Sequence, residues 1–297
     1  MSQEIELKLA LSPGAAEQLA DHPSLKTLAF SRFSLGNTYY DTPQGHLEKA
    51  RMALRLRRTE DGWLQTLKTA GRENGGLSQR DEWEWPVVSN RLDLRELAAL
   101  PPMQGWAPET LAALAPRFST DFQRTRWLVE QQESSIEVAL DRGEIRTGQS
   151  RVAICELELE LEQGQAAALW ALAETFAKQL PLRPAALSKA ARGGALLKGR
   201  WPLPEETDSP GTLWRRALVA LDAEKDSNDP AFRALASRAL VRLAGLEHAL
   251  EDPAPARLAR TLAEAMTQPD GNQAISWLDT AAGQAALALS WQLADRD

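Results

Sequence analysis

The sequence predicts an α+β fold, a β-rich part followed by a small all-α part, and three observations carry that prediction. Several segments up to about residue 200 alternate charged and apolar residues with a period of two. The alternation ends at a proline-rich polar stretch, and beyond it the chain is rich in Ala and Leu with no strand pattern. Successive side chains of a β-strand point to opposite faces, so a period of two is what a strand needs when one face is apolar and the other ionic. The expected units are 1–200, a linker at 201–211 and a helical domain at 212–297.

Taken in order, Glu4-Ile5-Glu6-Leu7-Lys8 is a strand with Glu4, Glu6 and Lys8 on one face and Ile5, Leu7 and Leu9 on the other. Ser12-Pro13 reads as an N-cap followed by proline at the first helical position, which opens a short helix to about Asp21. Residues 30–41 are extended and end at the turn Pro43-Gln44-Gly45. Residues 53–58 form a basic strand that places Arg55 and Arg57 together. Asp61-Gly62 turns it into a return strand at 63–69, which carries Lys68 on the face of Leu64 and Thr66. After a polar loop at 71–76, residues 77–88 set Arg80, Glu82 and Glu84 on one face.

Two short helices are expected near 92–100 and 107–115, each bounded by prolines. Residues 118–130 pair Arg124 with Arg126 on one face. Residues 135–140 are expected to end in a hairpin turn at Asp141-Arg142-Gly143, with Glu137 and Asp141 on one side. A turn near Gly148-Gln149 leads into an acidic strand, 151–162, with Glu156, Glu158 and Glu160 opposite Cys155, Leu157, Leu159 and Leu161. A helix at 165–180 has Leu169, Leu172, Ala173 and Phe176 at helical spacing, and Pro181 and Pro184 stop it before Ser188-Lys189-Ala190-Ala191-Arg192-Gly193. Past the linker, about four helical blocks are separated at 227–230, 252–255 and 269–272.

Bulk properties narrow the function. A net charge of -7 argues against wholesale nucleic-acid binding. With no long apolar run and no signal-peptide pattern, the expected compartment is the cytoplasm, without membrane attachment. The single cysteine, Cys155, lies on an apolar strand face and is expected to be a core residue. His22, His46 and His248 have no ligand-like spacing, which leaves zinc chemistry unsupported.

Six or more such strands fit either a sheet with its charged side in water or a closed barrel with its charged faces inward. Segregation of the charges into acidic and basic strands favours the barrel. Charges enclosed in that way are costly unless compensated, and a polyanion with a divalent cation satisfies both signs. Arg matches phosphate in a bidentate manner, and magnesium or manganese takes oxygen ligands. Glutamates two apart on a strand are separated by about 6.6–6.8 Å, so Glu4 and Glu6 need carboxylates from a neighbouring strand to share an ion. Glu156 and Glu158 are the expected suppliers.

The Glu-x-Glu-x-Lys opening, the Leu-Arg-Leu-Arg and Thr-Leu-Lys strands, the Glu-x-Glu strand and the Ser-Lys-x-x-Arg-Gly segment, in this order, resemble the CYTH superfamily, also called the triphosphate tunnel metalloenzymes. The resemblance spans residues 1 to about 198 and is nearest to bacterial CYTH-domain inorganic triphosphatases that carry a C-terminal CHAD-like helical region. It implies an eight-stranded antiparallel tunnel flanked by helices, hydrolysing inorganic triphosphate to diphosphate and phosphate with Mg2+ or Mn2+. It implies catalytic roles for Glu4, Glu6 and Lys8, and phosphate contacts from Lys8, Arg55, Arg57, Lys68, Arg80, Arg124, Arg126 and Lys189. Metal ligation would fall on Glu4, Glu6, Glu156 and Glu158, with Asp141, Glu82 and Glu84 of suitable strand parity. Cyclisation of ATP, hydrolysis of thiamine triphosphate and non-catalytic polyphosphate binding are the alternatives. Residues 212–297 depart from a polyphosphate-binding bundle, with nine Lys and Arg against twelve Asp and Glu. They are expected to be a truncated, degenerate or unrelated appendage, used for homodimerisation or for covering the tunnel mouth.

Overall fold

The computed structural model describes residues 2–148, 150–267 and 277–294. In chain order the elements are β1 (Ser2–Leu11), α1 (Pro13–Gln18), β2 (Phe30–Asp41), α2 (His46–Lys49), β3 (Ala53–Arg58), β4 (Trp63–Lys68), β5 (Arg72–Asn74) and β6 (Leu77–Val87). There follow α3 (Leu94–Ala99), α4 (Pro108–Ala112), β7 (Ala115–Gln131), β8 (Ser134–Thr147), β9 (Ser150–Gln163), α5 (Ala167–Ala177), β10 (Leu182–Pro184) and α6 (Lys189–Lys198). The last four are α7 (Pro210–Ser227), α8 (Pro230–Gly245), α9 (Ala254–Met266) and α10 (Thr280–Ala294). The expected break at 269–272 lies outside the described residues. Among the described residues no helix is long and apolar enough to cross a membrane.

Eight strands close into an antiparallel ring. Its order is β1, β9, β8, β7, β2, β3, β4, β6, and β6 returns to pair with β1. The short strands β5 and β10 extend the sheet from β6 and β1. Closure works because directly opposed residues in an antiparallel pair share a face, so each strand's ionic row meets its neighbour's on the inside. Glu4 lies opposite Arg80, Lys8 opposite Glu158, Arg124 opposite Asp141, Asp141 opposite Glu156 and Lys68 opposite Glu82.

The outer faces are apolar and covered by helices. Leu7, Leu9, Val138, Leu157 and Leu159 pack under α1, α5 and Leu287 of α10, while Leu54 and Leu67 pack under α2 to α4 with Leu47, Leu97 and Met103. The helices α7 to α10 share a further core of Leu213, Trp214, Leu218, Leu240, Leu262 and Leu289. One end of the bore is apolar as well. Leu35, Phe122, Ile145 and Ile154 meet there, with Leu196 of α6 against them.

Asp141-Arg142-Gly143 is not a turn. β8 runs straight through it, paired with β7 and β9 on either side, and the turn from β7 falls at Gln132 and Glu133, both with positive φ. The glycine has another cause. A Cβ at Gly143 would stand 2.1 Å from the Asp121 carbonyl oxygen and 2.4 Å from Phe122 Cα, so the two strands approach too closely for any side chain. Gly143→Ala is therefore expected to destabilise the protein by roughly 1–3 kcal/mol through forced backbone displacement. Urea unfolding measures this, and a midpoint equal to the parent's would contradict the close-approach account.

Candidate active site

The ionic rows enclose a cavity of about 270 Å³ lined by residues from β1, β2, β3, β4, β6, β7, β8, β9 and the start of α6. On one side Glu4 is gripped by Lys68 and Arg80. The Arg80 Nε donates to Glu4 Oε2 at 2.8 Å and its Nη2 to Glu6 Oε1 at 2.6 Å, while Lys68 Nζ also reaches Glu82 at 3.4 Å. Arg55 stands 3.7 Å from Glu82 and 3.8 Å from Glu84.

On the other side Arg124 makes a bidentate pair with Asp141, both bonds 2.7 Å, and also donates to Glu158. The Lys189 ammonium sits among Asp141 (2.7 Å), Glu158 (2.9 Å) and Glu156. Two conditions bring Lys189 here. Ser188 caps α6, accepting from the Ala191 amide, and Gly193 lets the helix lie against the Phe118 ring, where a Cβ would be 2.2 Å from Cε2.

Arg57 is different. Its Nε donates to Asn37 Oδ1 at 2.9 Å, and among the described residues no carboxylate pairs with it. Burial, with Arg55 and Arg124 nearby, lowers its pKa to about 10. Glu160 shows the opposite imbalance. Burial and the neighbouring Glu4 raise its pKa to about 8, although Lys68 opposes the shift, and Glu6 and Glu158 raise it further. For Glu4, burial pushes upward, but Lys68 and Arg80 outweigh it and hold the carboxyl at about 2. Burial likewise opposes the charges of Glu158 and Lys189, yet their opposed partners hold Glu158 well below the ordinary carboxylate range and raise Lys189.

Of the residues singled out from sequence, the cavity brings together Glu4, Glu6, Arg55, Arg57, Lys68, Arg80, Glu82, Glu84, Arg124, Arg126, Glu158 and Lys189. Lys8, Asp141 and Glu156 are not among its lining residues. The Lys8 ammonium turns back to Glu6 at 3.2 Å and is buried, and Asp141 and Glu156 lie under Lys189. β1 and β9 are neighbours, as the expected sharing of an ion requires, but Glu6 faces Glu160, Glu158 faces Lys8, and Glu156 faces Ala10, four residues along β1 from Glu6. Glu137, Glu160 and Glu162 line the cavity as well, on the faces their parity requires.

The donor set suits a divalent cation that prefers oxygen ligands. Among the described residues, Asp141, Glu156 and Glu158 form a group of three carboxylates whose oxygens come within 4.8 Å of one another, and the Lys189 ammonium already serves them as cation. On the β1 side Glu160 faces Glu6, and burial with Glu4 close by pushes the Glu160 carboxyl up, an imbalance that a cation would relieve.

A closed antiparallel ring whose bore is lined by opposed rows of carboxylates and cations defines the class of protein as a β tunnel. The chain belongs to the CYTH domain family, whose model matches residues 2–193. Proteins of this family use divalent metals. The chain is 40% identical over 195 residues to the inorganic triphosphatase of Haemophilus influenzae, a match covering 65% of this chain and 54% of that protein. It thus spans about half the length of that curated relative. Among solved structures, a candidate adenylyl cyclase from Hippeastrum, described as having a dominant triphosphatase activity, is 21% identical. That match covers 67% of this chain and 97% of the other, with a TM-score of 0.48. A candidate adenylate cyclase from Bacillus halodurans is 15% identical, covers 61% and 94%, and has a TM-score of 0.36.

Arg57 and Arg124 are expected to separate binding from stability. Arg124→Gln strips the buried Asp141 of its bidentate partner and should cost about 3 kcal/mol, whereas Arg57→Gln removes an uncompensated charge and should cost under ~1 kcal/mol. Denaturant unfolding of the two variants side by side checks the order, and equal losses would contradict it.

Proposed function

We propose that the chain hydrolyses inorganic triphosphate to diphosphate and phosphate in the cytoplasm, with Mg2+ or Mn2+ bound in the tunnel. The observation that carries this reading is the charge composition of the cavity, which is lined by eight carboxylates and seven Lys and Arg side chains. A polyphosphate entering such a near-neutral space alone would leave its own charge uncompensated. Accompanied by divalent cations, it lets both rows find partners. The 40% identity to a protein named an inorganic triphosphatase supports the same substrate.

In this proposal Glu4, Glu6, Glu158 and Glu160 would hold the cation, since their carboxylates line the cavity. Bound there, it supplies Lewis-acid stabilisation of the charge that develops on the phosphoryl oxygens. Arg55, Arg57, Arg124, Arg126 and Lys189 hold the phosphate chain in line. Arg57 is ready to accept an anion because it has no carboxylate to release first. Lys68 and Arg80 keep Glu4 ionised and aimed into the bore. Phosphoryl transfer of this kind is positioning and electrostatics, so no protein nucleophile is called for.

Phosphate release from triphosphate, ATP and thiamine triphosphate, each with magnesium, manganese or calcium, tests the proposal. Triphosphate should be turned over fastest, and chelation should abolish the reaction. Glu4→Gln should lower kcat on the order of 100-fold, and Arg57→Ala should chiefly raise KM for triphosphate, by about tenfold. Turnover that survives both chelation and Glu4→Gln would overturn the metal assignment. A preference for ATP or thiamine triphosphate would move the substrate.

A further inference from the structure

The tunnel's ionic network does not end at the tunnel. Arg192, one turn after Lys189 on α6, donates from Nη1 to Glu156 at 3.0 Å and from Nη2 to the Ala153 carbonyl of β9 at 2.7 Å. Its remaining bonds go to Asp226 of α7, at 2.9 Å from Nε and 2.7 Å from Nη2. One helical turn earlier, Asp222 accepts from the Ala186 and Leu187 amides at 2.8 and 2.9 Å and from Arg183 at 2.8 Å. Between them Lys225 donates to the Cys155 carbonyl, beside Glu156. Residues 222, 225 and 226 share one helix face, and all of it is turned onto the segment that delivers Lys189 and onto the strand that carries Glu156.

These are not surface ion pairs. Arg183, Arg192, Asp222 and Asp226 are each between 4% and 7% exposed, so each charge depends on its partner for solvation. Glu156 is shared between Arg192 and Lys189. With Asp226 holding its Nε and Nη2, Arg192 reaches Glu156 through Nη1 alone, and Glu156 keeps Lys189 as its second partner. With Asp226 gone, Arg192 would be free to draw further on Glu156, and the carboxylate set around Lys189 would change. Asp222 acts earlier in the segment, holding two amides of the 185–188 loop that fixes where α6 begins.

We propose that Asp222 and Asp226, in the helical region, are positioning residues for the tunnel: through the 185–188 loop and Arg192 they set the pose of α6, and with it the place of Lys189 and the orientation of Glu156. The proposal rests on the triphosphatase reading for its kinetic consequences but not for its structural ones. It gives the helical region a part in the reaction that needs no basic surface of its own.

The test uses the full chain and the variants Asp226→Asn, Asp222→Asn and Asp226→Glu, with Arg215→Gln as control. Arg215 ties α7 to Glu73 of β5 through a surface pair that includes no residue of 185–198. Amide exchange over residues 185–198 should accelerate about tenfold in both Asn variants, with β7 to β9 protected as in the parent. At saturating magnesium, kcat on triphosphate should fall roughly ten- to a hundredfold and KM should rise several-fold. Asp226→Glu should regain most of the rate, and Arg215→Gln should match the parent. If Asp226→Asn fails to fold, Arg192→Lys, which keeps the charge and loses the fork, should show the same exchange and rate changes in milder form. Unchanged exchange over 185–198 overturns the proposal. So does loosened exchange with parental kcat, which would make the contact a brace and nothing more. Absence of turnover in the parent would instead sink the triphosphatase reading, and the exchange comparison would still decide the positioning role.

Discussion

Everything in this fold follows from enclosing opposed rows of charge inside a closed sheet. A carboxylate or ammonium taken out of water loses several kcal/mol of hydration, and only close, hydrogen-bonded opposite charges return it. The ring meets that condition through its strand register, which sets Glu4 against Arg80, Arg124 against Asp141 and Lys8 against Glu158. Slipping any strand by one residue would turn its ionic row into the helix-covered apolar layer, so closure and charge pairing select the same register.

The same rule explains what was legible in the sequence. A period of two assigns each residue to a face, so the inward rows from Glu4 to Glu162 were readable without coordinates, and so was the helical character beyond residue 210. A shift by any even number of residues preserves every face, however, and alternation has nothing to say about it. That is why alternation offers Glu156 and Glu158 as partners for Glu4 and Glu6, when Glu160 is the residue opposite Glu6 and Glu158 lies opposite Lys8. The Asp-Arg-Gly at 141–143 misled for a related reason. Glycine serves turns and close backbone approaches alike, and only the neighbouring strand distinguishes them.

Contacts between distant elements were not legible at all. Arg192 was visible as part of a motif, but its partner Asp226 sits 34 residues away on a helix whose own periodicity reports only its apolar face. Nor could alternation show that the inward rows turn apolar at one end, where Leu35, Phe122, Ile145 and Ile154 meet Leu196. The bore is therefore an ionic chamber with a greasy floor. α6 supplies both Leu196, packed against that floor, and, at its other end, the ammonium of Lys189.

Stability does not account for so much enclosed charge. Well-packed apolar residues commonly replace a buried ion network at no loss of stability, so retaining fifteen charged side chains around one small cavity is a poor way to hold a barrel together. Their distribution points the same way. A network built only for stability would pair every member, yet Arg57 is left with an amide oxygen and Glu160 is crowded by other carboxylates. An unmatched cation and an unmatched carboxylate in the same chamber are what the proposed occupants, an anion arriving with its metal, would complete.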